Sequence, residues 1–360
     1  MNSRSQYIDI SKGIAIIAVV LLHIDYTFYN HVLLPVEVLL GGGWHVAVFF
    51  ILGGFFLKEE KLIQPIGFIK GKIKSLYKLL LYFYIPAVLL HNVMLQIGWY
   101  DTMTDYGGKH MTHWGFTHTV KELVMSVCLA GREPILGAMW FVYVLFIALC
   151  GLSFVSWTAK QITRNEKQYE WIRMIVLLGL CMVSCTMSNV MGFNIPRFNN
   201  SLTAMWLIYS GYILKSRLIV DFSNIPFCLL CCMIVYHSAS MLGEVSLNNN
   251  VYNDALTLTV SSVAMLYVIC CIAKCIEHNP IGKFLARCGK DSFYIMGLHF
   301  VGFKMATYLL MLIGINNSLS ALKAPAGASF FQLILYLTMG VLLPLTFMLI
   351  FRKTKSLIFK

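Results

Sequence analysis

The chain has 360 residues, of which 58% are hydrophobic and only 12% are charged, and its mean hydropathy is +0.73. Soluble domains carry about one quarter charged residues, so this composition argues against a water-soluble enzyme, a nucleic-acid-binding protein and a disordered chain. The net charge of +12, from 28 Lys and Arg against 16 Asp and Glu, instead suits the cytoplasmic excess of cations that orients a polytopic membrane protein.

Ten apolar segments approach the length of about 20 residues that crosses a bilayer. In chain order they are 10–28, 38–57, 76–97, 136–157, 172–192, 202–214, 219–241, 255–276, 292–315 and 329–351. The sixth is short, and we expect it to be tilted, broken or partly re-entrant. The shorter stretch 123–130 is expected at the outer interface. The sequence therefore predicts an all-α polytopic membrane protein in which residues 1–360 form a single integral-membrane domain.

Charge predicts how these segments are oriented. With the N-terminus in the cytoplasm and alternating sides, most of the 28 lysines and arginines fall on cytoplasmic segments and helix ends. Such groups follow the second, fourth, sixth, eighth and tenth segments, whereas the acidic residues divide evenly between the two sides. The cation bias and the even number of segments predict that both termini lie in the cytoplasm.

Cysteines and loop histidines offer weaker signals. The 11 cysteines fall mostly inside apolar segments, which favours small packing residues over disulfides.

In the polar loop 98–119, His110, His113 and His118 have a spacing that a metal ion would accept. Solvated loops that happen to contain histidines are far more common, so no metal site is predicted. His91 and His237 lie near outer helix ends, where an interfacial position is expected.

Ionisable groups inside a membrane are costly and mark candidate functional sites. His23 follows Lys12 by eleven residues, or about three helical turns, so the two side chains share a helix face, with Asp9 on a neighbouring part of it. His45 is predicted at a similar depth on the next helix, where two imidazoles suit proton transfer. The alternative is an interfacial Asp9–Lys12 pair and a buried hydrogen-bonded His23. His299 marks a second, inner polar position.

A run of positive charge occupies the cytoplasmic segment 68–78, with Lys70, Lys72, Lys74 and Lys78. Lipid headgroups are one expected partner for such a run. A phosphorylated cytosolic substrate, held by lysines acting as point charges, is the other.

Four segments, in chain order, resemble the motifs of the membrane-bound acyltransferase-3 family. The first starts at 7–15 (YIDISKGIA) and runs to His23. It is similar to the family's pattern of a basic residue, ten residues and a histidine, with Lys12 standing where most members have arginine. The second, 45–56 (HVAVFFILGGFF), is similar to FFxxSGF, with Gly53 in place of serine.

The third segment, 139–141 (MWF), is similar to the family's LWF, and the fourth, 289–299 (GKDSFYIMGLH), to its GxxSxxxYxxH. The combination of His45 with Lys12 looks closest to the sugar O-acetylase branch, the fucose 4-O-acetylase-like members. The resemblance covers residues 5 to about 300.

The resemblance implies an enzyme that transfers an acyl group, most readily acetyl, from cytosolic acyl-CoA to a hydroxyl of a sugar or surface glycan. It implies a place in the bacterial inner membrane, contact with membrane lipid, no cofactor besides the acetyl-CoA donor substrate and no nucleic-acid partner. His23 is the implied general base, and His45 would orient it or stabilise charge. A transient acyl-histidine is the alternative chemical route.

The same resemblance assigns residues to the two substrates. The residues expected to bind the acyl-CoA donor are Lys12, Lys70, Lys72, Lys74, Lys78 and His299. Trp140 is expected to stack on a sugar face of the acceptor. Apart from the resemblance, Arg132, Arg197 and Asn199 lie in predicted outer segments and are candidates for acceptor contacts, with plain surface polarity as the alternative.

Two other classes of function compete with this hypothesis. A secondary transporter or flippase for a glycan or glycolipid would be expected to show internal repeats and carboxylates near the bilayer midplane, and neither is visible in the sequence. A non-catalytic membrane scaffold gives no reason for a lysine and a histidine on one helix face.

Overall fold

The computed structural model describes residues 5–24, 44–104, 106, 110–241, 245–315, 318–322 and 329–358. These residues form helices and connecting segments, and an isolated β-bridge joins Ser246 to Val251. The α-helices are α1 (Gln6–Leu22), α2 (Trp44–Gly54), α3 (Glu59–Leu62), α4 (Pro65–Lys72), α5 (Lys78–Leu89), α6 (His91–Gln96), α7 (Phe116–Val127), α8 (Trp140–Ile162), α9 (Glu166–Asn189), α10 (Phe198–Ser216), α11 (Ile225–Met241), α12 (Ala255–Cys275), α13 (Pro280–Lys290), α14 (Ser292–Leu312) and α15 (Phe330–Ile358). A π-helical turn, Ile73–Tyr77, joins α4 to α5, and a 3₁₀ segment, Pro134–Met139, leads into α8.

Several of these helices are long and apolar enough to cross a membrane. Among the described residues there are 5: Pro134–Ile162, Glu166–Asn189, Ala255–Cys275, Ser292–Leu312 and Phe330–Thr354. Trp44–Gly54 and Ile225–Ser240 are apolar but shorter. The all-α prediction is confirmed, and the chain is an integral membrane protein.

Each of the ten predicted segments overlaps a helix, although the ends differ. The third, 76–97, is divided between α5 and α6, because the backbone at Leu90 is not helical. The sixth, which we expected to be short or broken, lies within the continuous 19-residue α10. Residues 25–28 of the first segment and 38–43 of the second lie outside the described residues.

The chain divides into two compact units, each discontinuous in sequence. The first contains Met1–Ala15, Pro35–Lys78 and Trp140–Ala286. In it, α2 packs against α10 and α12. Two glycines lie where the backbones of α2 and α10 approach each other closely. A Cβ at Gly54 would lie 2.0 Å from the carbonyl oxygen of Ile208, and one at Gly211 would lie 1.9 Å from that of Ile51. The backbones of α2 and α10 are therefore in direct contact, as small residues permit in membrane helices.

The second unit contains Ile16–Leu34, Leu79–Met139 and Arg287–Lys360. Here α14 packs along α15 and against the 3₁₀ segment. The crossing of α14 and α15 is again close, since a Cβ at Gly302 would lie 2.4 Å from the carbonyl oxygen of Met339.

Lys304 of α14 is buried in this unit, with 1% of its surface exposed. Its ammonium donates to three backbone carbonyls, those of Trp99 at 2.9 Å, Leu319 at 2.6 Å and Ala321 at 2.8 Å. An ammonium has three donors, so these carbonyls satisfy all of them and tie two connecting segments to α14.

Candidate functional site

His23 lies one residue beyond the end of α1, in the second unit. Its ring is half-buried, and its centroid lies 5.0 Å from that of His299 at an interplanar angle of 51°. Phe300 also contacts His23 edge to face, with ring centroids 5.0 Å apart and an interplanar angle of 86°. The structure therefore brings the histidines of the first and fourth motif segments together.

Backbone carbonyls set the tautomer of both imidazoles. Nδ1 of His23 lies 2.7 Å from the carbonyl oxygen of Val19, and Nδ1 of His299 lies 3.1 and 3.0 Å from those of Ile295 and Met296. A carbonyl oxygen can only accept a hydrogen bond, so each Nδ1 carries the proton. In the neutral rings the lone pair is therefore on Nε2, the nitrogen able to take a proton from a substrate hydroxyl.

Lys12 and Asp9 lie on the part of α1 that belongs to the first unit. Asp9 is buried, with 1% of its surface exposed, whereas Lys12 is half-buried and its ammonium lies 4.3 Å from the ring centroid of Phe56. This cation–π contact joins the basic residue of the first motif segment to the end of the second.

His45, near the start of α2, is also in the first unit and is buried, with 3% of its surface exposed. Its ring contacts that of Trp44 edge to face, with centroids 5.9 Å apart. In the same unit the second and third motif segments meet, because the rings of Phe50 and Phe141 lie 4.6 Å apart. The expected cooperation of His45 with His23 stays a prediction.

The four cytoplasmic lysines fall into two groups. Lys70, Lys74 and Lys78 recur every four residues through α4, the π-helical turn and α5, and all three are exposed. Lys72 is half-buried, and its ammonium lies 5.0 Å from the ring centroid of Phe68. Burial lowers the pKa of Lys72 below its usual value, since the charged form loses hydration.

The residues expected to contact an acceptor occupy different surroundings. Trp140 begins α8 and is half-buried. The guanidinium of Arg197 lies 4.5 Å from the ring centroid of Tyr143, one turn further along α8. Asn199 is fully buried, and its amide donates to the hydroxyl of Ser188 and the carbonyl of Phe193. Arg132, in the second unit, is exposed.

His91, expected near the membrane interface, has its side chain inside the protein. His91 is buried, with 1% of its surface exposed; its Nδ1 lies 3.1 Å from Oε1 of Glu133, and its ring stacks on Trp114 with centroids 3.4 Å apart. Tyr100 donates to the same carboxylate at 2.7 Å, and burial raises the pKa of Tyr100. Glu133 lies 42 residues from His91, so the sequence alone did not reveal this pair. His237 is exposed.

The contact between His23 and His299 is the feature that sequence reasoning missed. Hydropathy placed the first span at 10–28, which sets His23 inside a helix, whereas α1 ends at Leu22. It also assigned His299 to a separate inner position. Their place in two motif segments was the available signal, because residues of separate motifs often meet at one site.

A family model described as an acyltransferase domain matches residues 5–352. No curated protein and no solved structure matches the chain. The match covers nearly the whole chain and includes all four motif segments. The chain therefore belongs to the acyltransferase-3 family and is a membrane-embedded acyltransferase.

Proposed function

We propose that this chain transfers an acyl group, most readily acetyl, from cytosolic acyl-CoA to a hydroxyl of a sugar or surface glycan. Membership of the acyltransferase-3 family supports acyl transfer, and the orientation of His23 supports a hydroxyl acceptor. The fucose 4-O-acetylase-like branch, the bacterial inner membrane and contact with membrane lipid are parts of the same proposal.

The proposal includes a topology of ten spans with both termini in the cytoplasm, in a single integral-membrane domain over residues 1–360. Two observations support it. Each predicted span overlaps a helix, and the alternating topology gathers most of the 28 lysines and arginines on one side. Acyl-CoA would then arrive from the side that carries the lysines, and the glycan from the other.

In the proposed reaction, Nε2 of His23 takes the proton of the acceptor hydroxyl while the oxygen attacks the thioester carbonyl. The new C–O bond forms, the C–S bond breaks, and the leaving thiolate takes the proton back from the imidazolium. The observation that carries this proposal is the hydrogen bond from Nδ1 of His23 to Val19, which leaves the lone pair on Nε2.

The donor and acceptor contacts remain proposals from the sequence. Exposed Lys70, Lys74 and Lys78 suit the phosphates of coenzyme A, and Lys12 and Lys72 are proposed to assist them. Among the acceptor residues, Arg132, Trp140 and Arg197 have side chains that are not fully buried. Asn199 donates within the interior, so its proposed role is to hold the chain beside Arg197.

The test is a thiol-release assay with purified protein, acetyl-CoA and a panel of glycans. We expect release only when an acceptor is present, and none in His23→Ala. A matched control is His237→Ala, which removes an exposed histidine of α11 and should leave the rate unchanged. A folded His23→Ala protein that releases thiol at the normal rate would contradict the proposed base. Glycan transport without thiol release would favour a transporter.

A further inference from the structure

In the second unit, one buried carboxylate lies between two arginines. Asp291 directly precedes the first residue of α14 and is fully buried. Nε of Arg287, near the end of α13, donates to Oδ2 of Asp291 at 2.8 Å. Arg352, in the last two turns of α15, donates from Nη1 to Oδ2 at 3.3 Å and from Nη2 to Oδ1. The carboxylate of Asp291 therefore holds two guanidinium groups in place.

The two arginines carry more charge and more donors than Asp291 can balance. Asp291 is the only acidic residue in the sequence from 287 to 360, so the cluster has an excess of positive charge. A guanidinium has five N–H donors, and the carboxylate engages one nitrogen of Arg287 and two of Arg352. Nη2 of Arg287 is buried with no hydrogen-bond partner among the described residues. Such donors are uncommon in native proteins, which indicates that the cluster lacks an acceptor.

The guanidinium groups, unlike the carboxylate, are accessible from outside the protein. The side chain of Arg287 is 38% exposed and that of Arg352 is 46% exposed, whereas that of Asp291 is 0% exposed. Lys290, the residue before Asp291, is exposed as well. An approaching molecule therefore meets positive charge and N–H donors. The planar fork of a guanidinium matches the oxygens of a phosphate group.

The cluster lies at one end of two helices that are long and apolar enough to cross a membrane. Ser292–Leu312 begins directly after Asp291, and Phe330–Thr354 ends two residues after Arg352. On α15, Phe351 is exposed, so an apolar surface ends where the cations begin. Phospholipid headgroups lie just outside the hydrocarbon core, at the depth of such a boundary. In the proposed topology this end faces the cytoplasm, where the phosphates of coenzyme A are also present.

We propose that Arg287 and Arg352 form a binding site for a phosphate group, with Asp291 as the buried residue that positions both arginines. Two kinds of molecule carry a phosphate group to this place, an anionic phospholipid and coenzyme A. The coenzyme A source rests on the proposed function, whereas the phospholipid source does not. The experiment below distinguishes the two sources.

The first test compares ligand binding in Arg287→Gln and Arg352→Gln. Each variant removes one charge and leaves Asp291 paired with the other arginine, so no buried carboxylate loses both partners. The matched control is Arg164→Gln, because Arg164 is an exposed arginine of the first unit, outside the cluster.

Two probes are used with the purified full-length protein. Coenzyme A binding is measured by calorimetry in neutral detergent, and phosphatidylglycerol binding is measured by native mass spectrometry. Pantetheine and diacylglycerol are the corresponding molecules without phosphate, and they show how much of each affinity depends on the phosphate group.

We expect at least one probe to bind the wild type more tightly than its counterpart without phosphate. Both glutamine variants should bind that probe about tenfold to a hundredfold more weakly, as expected for losing a hydrogen bond to a charged group. Arg164→Gln should bind it like the wild type, and the probe that responds identifies the source.

The proposal is overturned if either cluster variant binds both probes like the wild type, if Arg164→Gln shows the same loss, or if the phosphate-free molecules bind equally well. Failure of the proposed function is distinguishable from these results. A wild-type protein that binds phosphatidylglycerol at this site but releases no thiol with any acceptor would contradict acyl transfer and leave the phosphate site intact.

A second test uses only the wild type, so it does not depend on the folding of the variants. Phenylglyoxal modifies accessible arginines, and peptide mass spectrometry reports the rate at each one. We expect a saturating concentration of the responding probe to slow the modification of Arg287 and Arg352 severalfold and to leave the rate at Arg164 unchanged. Rates at Arg287 and Arg352 that neither probe changes would overturn the proposal.

Discussion

Arg173 lies wholly inside the protein, although its position near the start of a predicted span marks it as one of the cytoplasmic cations. Its guanidinium contacts both carboxylate oxygens of Glu59 at 3.0 Å and one of Glu170 at 2.7 Å. Three tyrosine rings surround it at 4.5 to 5.0 Å, namely Tyr169, Tyr209 and Tyr212. The Glu170 contact, three residues away on α9, could be predicted from helical spacing. The Glu59 contact spans 114 residues and could not.

Removing the guanidinium would leave two carboxylates without their buried partner. We expect Arg173→Met to lower the free energy of unfolding by roughly 3 to 5 kcal/mol, the usual cost of breaking one side of a buried pair. Thermal unfolding in detergent would measure the loss. The matched control is Lys160→Met, which breaks a more exposed pair with Glu166 and should cost no more than about 1 kcal/mol. Equal losses in the two variants would contradict the structural role of Arg173.

At the scale of elements, the second motif segment contains two adjacent glycines with different surroundings. A Cβ at Gly53 would meet nothing closer than Cδ1 of Leu145 at 3.9 Å, whereas one at Gly54 would strike the backbone of α10. The family pattern has serine at the first position and glycine at the second. The structure explains the second glycine by the close approach of α2 to α10, and it leaves room for a serine at the first.

The two glycines therefore form a matched pair for mutation. We expect Gly53→Ser to change the free energy of unfolding by about 0.5 kcal/mol or less, as ordinary tolerated substitutions do. Gly54→Ser should force α2 away from α10 and sharply reduce the yield of folded protein, because the obstacle is backbone and cannot rotate aside. Size-exclusion profiles and melting temperatures in detergent would compare them. Equal behaviour of the two variants would contradict the close crossing.

At the scale of the whole molecule, hydropathy located helices well and their ends poorly. The break at Leu90 and the end of α1 at Leu22 depend on local backbone geometry, which an average over about 20 residues does not resolve. The contact of His23 with His299 depends on the packing of helices that are distant in sequence, and no single-helix pattern contains that information. The candidate residues were therefore predictable one by one, but this pairing was not.

Two exposed cysteines offer a test of the proposed orientation. Cys128 follows α7 in a predicted outer segment, and Cys275 ends α12 on the predicted cytoplasmic side. We expect a membrane-impermeant maleimide to label Cys128 in intact cells and Cys275 only after permeabilisation. Cys128→Ser and Cys275→Ser identify each signal by its loss. Labelling in the opposite order would invert the topology and with it the proposed side of acyl-CoA entry.

The ammonium of Lys304 has a mechanical consequence for the helix that carries it. It sits five residues beyond His299 on α14, and its three carbonyl partners belong to two separate stretches of connecting chain. A ligand that displaces both stretches must either break all three hydrogen bonds of the ammonium or move α14 together with the stretches. A movement of those stretches that keeps the three bonds would therefore also move the part of α14 that carries His299.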